Sequence, residues 1–340
     1  MRYIGGKTLL LENIYDVIRN NTKNVKSVTD IFSGSGVVSD FFKKQGLEVI
    51  SNDLLFFSYA IIRGTTAINS VPDFKNLGIL DPISYLNNLN TDNIDFDNKK
   101  YFIYNNYSPN DNCDRMYFQN KNAIKIDVIR LQIEDWKRDG KISEDEYYYL
   151  LAALLQAVPY VANIAGTFGA YLKHWDKRTY NDIELKKPNI INNGICKCFC
   201  GDYSGVLSVE SDLLYADPPY NSREYLPNYH VLETIARYDS PVLKGVTGLR
   251  DYKEQKSVFC KKATVHEAFV KLLKENHSRY VLISYNNEGI LSTDEIIDIC
   301  KNYGKPETFK LFEYNYRRYK SHDSGVEKEL KEQLYFVETL

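Results

Sequence analysis

A rigid loop, Asp217-Pro218-Pro219-Tyr220, follows a short apolar run at 213–216 that suits the end of a buried strand. The prolines hold φ at about −65° and remove two backbone donors, so the carbonyl groups around them stay available as acceptors. A carboxylate, backbone acceptors and an aromatic ring therefore stand side by side. They match the exocyclic amine of a nucleobase, with Asp217 and the Pro218 carbonyl accepting its two N–H groups and Tyr220 stacking on the ring. The alternative is a purely structural turn that proline stiffens and an aspartate caps.

A glycine turn at 29–39, TDIFSGSGVVS, joins the first predicted strand to a helix. Gly34 and Gly36 let a ligand approach the backbone, and the amino end of the helix favours negative groups. Asp53 ends the next predicted strand, where a carboxylate can accept both hydroxyl groups of a ribose. The pattern predicts a cofactor that contains adenosine. Ser39 stands where a dinucleotide fingerprint needs its third glycine, which argues against a nicotinamide cofactor, and a structural turn without a ligand is the alternative.

Another tight glycine turn, YIGGK at 3–7, places a lysine near the first residues of the sequence. The Lys7 ammonium could meet a carboxylate of a ligand. A surface lysine after a turn needs no ligand, so this motif carries weight only together with the other two.

The elements that must position these groups alternate between strand and helix patterns. A strand, a glycine turn, a helix and a second strand ending in acids describe the first half of a parallel α/β sheet. The predicted strands cover 27–32, 47–53, 195–200, 213–216, 279–285, 308–314 and 333–339. The predicted helices cover 7–20, 36–46, 123–139, 143–157, 229–238, 265–276 and 293–302. We expect an insertion at roughly 56–190 to interrupt the sheet, and the last two strands to pair antiparallel.

Composition sets the broad class of the protein. The 340 residues are 44% apolar and 26% charged, which is typical of a soluble globular chain, and we expect a cytoplasmic protein without a membrane span or signal peptide. Six cysteines do not suggest a disulfide scaffold. Cys196, Cys198 and Cys200 alternate as on one face of a strand, whereas zinc sites usually use two-residue spacers, so we predict no metal. The net charge of −2 gives no global signal for a polyanionic partner.

Taken together and in this order, YIGGK, DIFSGSG and ADPPY resemble the Dam-like, alpha-group family of S-adenosylmethionine-dependent adenine-N6 DNA methyltransferases. The likeness covers most of the chain, although 56–190 is similar only in its placement and in GTFGAYLK at 166–173. It implies an α/β fold, a doubly wound Rossmann-like methyltransferase sheet with an inserted, mainly helical target-recognition domain. The catalytic domain would comprise 1–55 plus 191–340, and the target-recognition insertion 56–190.

The resemblance also implies roles for individual residues. The catalytic loop would be Asp217, Pro218, Pro219 and Tyr220. The residues implied for S-adenosyl-L-methionine are Tyr3, Lys7, Asp30, Phe32, Ser33, Gly34, Gly36, Asp53, Asp202 and Tyr203. Tyr3 stands where the family often has tryptophan, and Tyr203 where it often has phenylalanine.

Double-stranded DNA is the partner that this reading requires. Short segments that mix basic and aromatic residues supply candidate phosphate contacts, although solvated charged faces are the plainer interpretation. The candidates are Lys173, Arg178, Arg223, Arg250, Arg317, Arg318 and Lys320.

The predicted function is site-specific methylation of adenine in DNA, in a restriction–modification system that includes a cognate restriction endonuclease. The alternatives are a methyltransferase acting on RNA or another base amine, and a catalytically silent DNA-binding relative. The intact catalytic loop argues against silence, and the size of the insertion argues against a small-molecule substrate.

Overall fold

The computed structural model describes residues 3–91, 99–315 and 331–340. Within these ranges the chain forms ten α-helices and nine β-strands. The helices are α1 (Leu11–Asn21), α2 (Val37–Lys44), α3 (Phe56–Gly64), α4 (Pro82–Asn87), α5 (Phe102–Tyr107), α6 (Asn120–Arg138), α7 (Glu144–Ala157), α8 (Leu226–Arg237), α9 (Val265–Glu275) and α10 (Thr293–Tyr303). The strands are β1 (Ser27–Asp30), β2 (Glu48–Asp53), β3 (Cys196–Cys200), β4 (Ser211–Ala216), β5 (Leu243–Lys244), β6 (Leu249–Arg250), β7 (Ser278–Asn286), β8 (Lys310–Asn315) and β9 (Lys331–Glu338).

Seven strands form one sheet in the order β3-β2-β1-β4-β7-β9-β8. The first five in this order run parallel, and β9 runs antiparallel to both of its neighbours. The predicted antiparallel pairing of the last two strands is therefore confirmed. The central strands β4 and β7 are almost continuously buried, as expected for parallel strands covered on both faces.

Helices cover both faces of this sheet, because alternate residues of each strand point to opposite sides. Leu213 faces the cluster that contains α1 and α2, whereas its neighbour Leu214 faces the cluster that contains α9 and α10. The sheet is thus doubly wound. From β1 the chain continues outward to β2 and β3, and from β4 it continues the opposite way to β7. The reversal point of such a sheet lies between β1 and β4, where ligands bind outside the carboxyl ends of the strands.

Helix α3 was not predicted from the sequence, and it lies inside the segment interpreted as an insertion. It packs on β2 and β3 and contacts α7 closely. A Cβ on Gly64 would stand 2.0 Å from the Tyr148 carbonyl oxygen, so only glycine permits this approach. Helices α3, α6, α7 and α8 share one apolar cluster. The first three therefore pack continuously with α8, the helix that follows the Asp217 loop.

Candidate active site

A cavity opens at the reversal point, outside the carboxyl ends of four parallel strands. Its walls carry residues from the loops after β1, β2, β3 and β4, together with the glycine turn at 3–7. The space between its walls is about 920 Å³, including the part that is open to solvent. Of the site residues predicted from the sequence, the following line the cavity: Tyr3, Lys7, Phe32, Ser33, Gly34, Asp53, Asp202, Tyr203, Asp217 and Pro219. The three sequence motifs therefore meet in one place.

The loop after β1 is shaped by two glycines in the left-handed region. Gly34 has φ of 52°, and a Cβ there would stand 2.7 Å from the Tyr3 ring, so the ring needs glycine to pack on this backbone. Gly36, at φ of 80°, is the N-cap of α2 and packs against Ile62 rather than against the cavity. Gly36 was predicted as a ligand contact, and the structure gives it a packing role instead.

Asp53 ends β2 and connects two loops at the cavity wall. The Gly34 N–H donates to Asp53 Oδ2 at 2.7 Å, and the Leu55 N–H donates to Oδ1 at 2.8 Å. Each carboxylate oxygen keeps a second lone pair that a ligand hydroxyl can use. Burial raises the pKa of Asp53 to about 6, although these two N–H groups oppose the shift.

Asp30 ends β1 and lies beneath the cavity rather than in its wall. It is fully buried; its Oδ2 accepts a hydrogen bond of 2.7 Å from the Ser39 hydroxyl, and its Oδ1 has no partner among the described residues. The Tyr215 hydroxyl, in the neighbouring strand β4, is also buried and has no partner within the same part of the chain, and Tyr215 lines the cavity. Burial raises the pKa of Asp30 to about 7, against the hydrogen bond from Ser39.

Asp217 follows β4, and one of its oxygens forms an ion pair. Lys7 Nζ lies 2.9 Å from Asp217 Oδ1 and 3.1 Å from Glu332 Oε1. Lys7 was expected to meet a carboxylate of a ligand, but it binds two carboxylates of the chain itself. Burial raises the pKa of Asp217 to about 6; the Lys7 charge lowers it and the Glu332 charge raises it.

The rest of the Asp217 loop is held from the end of β7. The Tyr220 carbonyl accepts hydrogen bonds from the Ile290 N–H at 3.0 Å and from the Tyr285 hydroxyl at 3.4 Å. Pro218 is buried, and Pro219 lines the cavity. Because both ends of the loop are tied to the sheet, the carboxylate of Asp217 is presented by rigid backbone.

Aromatic rings border the cavity on two sides. Phe32 stacks on Tyr203 with centroids 6.0 Å apart, and Asp202 begins the short turn at Tyr203 by accepting the Ser204 N–H. Opposite, Tyr3 stacks on Tyr229 of α8 with centroids 4.7 Å apart. Flat apolar surfaces next to carboxylates are suited to a nucleoside, whose ring stacks and whose hydroxyl groups donate.

The segment GTFGAYLK packs against α8, the helix that follows the Asp217 loop. The Phe168 N–H donates to the Asn228 carbonyl at 2.8 Å, and the Tyr117 hydroxyl donates to the Phe168 carbonyl at 2.9 Å. His230 Nε2 lies 3.0 Å from the same carbonyl, and burial lowers the pKa of His230 to about 4, so its ring is neutral at pH 7. Residues 117 and 166–173 are therefore connected by hydrogen bonds to α8, the helix that follows the Asp217 loop.

Several cavity residues were missed by sequence reasoning. They are Ile4, Asn52, Tyr215, Glu224, Tyr225, Leu226, Gln255 and Ser257. Tyr229 was also missed as an individual residue. Its hydroxyl accepts the Ile4 N–H at 2.6 Å, next to the cavity wall. Only the aromatic spacing around 225–229 gave a signal, since the other contacts join segments that are far apart in sequence.

The basic residues predicted to contact DNA occupy different environments. Lys173 and Arg223 are exposed, and Arg178 is half-buried against the Ile164 carbonyl and Asp176. Arg250 is only 6% exposed, and its guanidinium donates to both oxygens of Asp239 at 3.0 and 2.6 Å. Arg250 is therefore no longer a candidate for a phosphate contact with DNA. Three further candidates lie outside the described residues: Arg317, Arg318 and Lys320.

Two further properties concern metals and membranes. Cys196, Cys198 and Cys200 lie along the edge strand β3, and in the described part of the chain no group of three His, Cys, Asp or Glu side chains could hold a metal ion. Among the helices of that same part, none is long and apolar enough to cross a membrane.

Comparisons with known proteins show the family of the chain. Residues 3–299 match the family model of the D12 class N6 adenine-specific DNA methyltransferases. The chain is 44% identical to the type II methyltransferase M.FokI of Planomicrobium okeanokoites over 99% of this chain and 52% of that protein, and 40% identical to the modification methylase StsI of Streptococcus sanguinis over 99% and 52%. It thus spans about half the length of these relatives. It is 35% identical to the type II methyltransferase M.NlaIII of Neisseria lactamica, over 94% of this chain and 93% of that protein. The chain belongs to the D12 class N6 adenine-specific DNA methyltransferase family.

Proposed function

We propose that this chain transfers a methyl group from S-adenosyl-L-methionine to the exocyclic N6 amine of an adenine in double-stranded DNA. The observation that carries the proposal is the convergence of Gly34, Asp53 and Asp217 on one cavity at the reversal point of the sheet. The relatives named as type II methyltransferases support a place in a restriction–modification system, with a cognate restriction endonuclease as partner.

The chemistry of the cavity fits the methyl donor. Asp53 would accept the ribose hydroxyls, and Phe32, Asp202 and Tyr203 would border its adenine. Asp30 Oδ1 and the Tyr215 hydroxyl are buried near this space without a partner in the described ranges, as expected where a polar ligand completes the hydrogen bonding. When bound, the donor supplies an electrophilic methyl group on its sulfonium.

Asp217 would act on the target amine. The adenine amine is a poor nucleophile because its lone pair is delocalised into the ring. Asp217 Oδ2 and the Pro218 carbonyl would accept its two N–H groups and favour a pyramidal nitrogen whose lone pair is available. The rate would then come from positioning and electrostatics, because the loop is held at both ends before substrate binds.

An adenine within a duplex cannot reach this cavity, so it must flip out of the stack, and Tyr220 would stack on it. The exposed Lys173 and Arg223, with the half-buried Arg178, are proposed contacts to the flanking phosphates. We propose residues 56–190 as the target-recognition domain, which the GTFGAYLK contacts would link to the catalytic loop through α8.

Analysis of the product tests the reaction directly. Purified protein is incubated with S-adenosyl-L-methionine and unmethylated DNA in EDTA, and digested nucleosides are separated by mass spectrometry. N6-methyladenine is the expected product. Methylcytosine, a product on RNA alone, or no product would each refute the proposal and favour another base-amine methyltransferase or a silent relative.

Two isosteric substitutions separate the roles of the carboxylates. Asp53→Asn should weaken binding of the methyl donor by roughly tenfold or more, since a charge-assisted hydrogen bond contributes about 1.5–3 kcal/mol. Asp217→Asn should leave that binding within about twofold and reduce methyl transfer by a factor on the order of a hundred or more. Calorimetry and a tritiated-methyl assay measure the two quantities. Near-normal turnover by Asp217→Asn would exclude the proposed mechanism.

A further inference from the structure

Glu332 stands on the far side of Lys7 from the catalytic carboxylate. Its Oε1 lies 3.1 Å from Lys7 Nζ, and its side chain is 8% exposed. The Ser284 hydroxyl of β7 donates to the same oxygen at 2.7 Å. Glu332 is therefore a buried acid that contacts the ion pair of the site without lining the cavity itself.

The topology explains how a residue so distant in sequence reaches this place. Strand β9 runs antiparallel to β7, and Glu332 pairs with Asn286 in the register. The first residues of β9 therefore lie beside the last residues of β7, at the carboxyl edge of the parallel strands. Further along β9, Leu334 and Phe336 are buried and apolar. A buried acid at position 332 therefore departs from the apolar residues that packing favours in this strand.

The hydrogen bonds of Lys7 show what Glu332 adds. An ammonium has three donors, and Lys7 Nζ has three acceptors: Asp217 Oδ1 at 2.9 Å, Glu332 Oε1 at 3.1 Å and the Gly5 carbonyl at 3.2 Å. Because all three directions are used, the ammonium is fixed in orientation. Without Glu332 one donor would be released, and Lys7 could turn toward the second oxygen of Asp217.

We propose that Glu332 is a positioning residue for methyl transfer, which holds Lys7 on Oδ1 of Asp217 so that Oδ2 stays available to the target amine. This inference rests on the proposed role of Asp217. Ser284 belongs to the same arrangement, because its hydroxyl fixes the oxygen of Glu332 that Lys7 uses.

The arrangement also sets the charge around Asp217. The charged and titratable groups facing it are Lys7, Glu332, Asp30, Tyr215 and Tyr225. Of these, Lys7 lowers the pKa of Asp217, and the negative charge of Glu332 raises it. Removing that charge should extend the ionised form of Asp217 to lower pH, even while the loss of orientation slows the reaction.

The test is the pH dependence of kcat in Glu332→Gln. At pH 8 we expect kcat to fall by about tenfold, because Lys7 would no longer be held on Oδ1 of Asp217 and the carboxylate would be less well placed for the amine. Affinity for S-adenosyl-L-methionine should stay within about twofold of that of the unaltered protein. The acid limb of the kcat profile should move to lower pH. Glu338→Gln, the same change at the opposite end of β9, should leave kcat and the profile unchanged.

Other outcomes decide against the proposal. An unchanged kcat in Glu332→Gln overturns it, and so does a loss of kcat with an unmoved acid limb, since that would indicate general destabilisation. If Glu332→Gln does not fold, Ser284→Ala decides: kcat should fall several-fold with donor affinity retained, and an unchanged kcat overturns the proposal. Absence of N6-methyladenine with the unaltered protein, or full activity of Asp217→Asn, would instead refute the proposed function itself.

Discussion

Substituting Asp30 by asparagine should change the pH dependence of folding in a direction that the structure fixes. Burial of this carboxyl raises its pKa from 3.8 to about 7 in the folded chain. The folded state then binds its proton more tightly than the unfolded state, so ionisation destabilises the fold as the pH rises between these two values. One pKa unit corresponds to about 1.36 kcal/mol, so the cost is roughly 4 kcal/mol at pH 8 and less than half of that at pH 5.

Asparagine cannot ionise, so Asp30→Asn removes this cost. The amide can still accept the Ser39 hydroxyl, and any penalty for its extra N–H groups is the same at both pH values. The free energy of unfolding of Asp30→Asn minus that of the unaltered protein should therefore be larger at pH 8 than at pH 5 by about 2–3 kcal/mol. Urea unfolding without methyl donor at the two pH values measures it, with Asp16→Asn as a control on an exposed carboxylate of α1. A difference that does not vary with pH would refute the argument that Asp30 is a desolvated carboxyl.

Three further predictions concern the cavity and its mouth. Gly34→Ala should weaken binding of the methyl donor in calorimetry by about tenfold, because its Cβ would meet the Tyr3 ring in a backbone region that strains alanine. Turnover should fall as the pH drops through about 6, since protonation removes the acceptors at Asp53 and Asp217, and a rate profile flat down to pH 5 would contradict this. Arg223→Ala should reduce the slope of log affinity for DNA against log salt by about 0.9, equally for cognate and scrambled duplexes, and an unchanged slope would leave Arg223 without a phosphate contact.

The parallel sheet could be predicted because its strands carry local signals. Apolar runs bounded by glycine, acid or proline predicted strands at 47–53, 213–216 and 279–285, and the structure has strands at 48–53, 211–216 and 278–286. A parallel half-sheet was predicted from the motifs, since a glycine turn and an acid at successive strand ends are typical of a nucleotide-binding half-sheet, whereas the order of all seven strands was not predicted.

Other features could not be predicted because their cause is tertiary. Helix α3 has apolar residues on most of its faces, since it is packed between the sheet and α7, and this erases the helical period that sequence reasoning needs. Arg250 stands in a basic segment and looks like a phosphate contact, but it forms an ion pair with Asp239, which precedes β5 and is brought close by the pairing of β5 with β6. Glu332 gave no signal for the same reason.

The ionised state of Asp217 depends on segments that the parallel strands alone do not contain. The carboxylate lies mostly buried at the end of β4, and desolvation without a counter-ion would favour its protonated form, which is a weaker acceptor for an N–H of an amine. Lys7 supplies the counter-charge from the glycine turn before α1, and Glu332, near the start of strand β9, holds Lys7 in place. The YIGGK motif and the antiparallel strand β9 are thus parts of the same electrostatic device as the Asp-Pro-Pro-Tyr loop. The fold positions the acid, and the two distant segments determine whether it is charged.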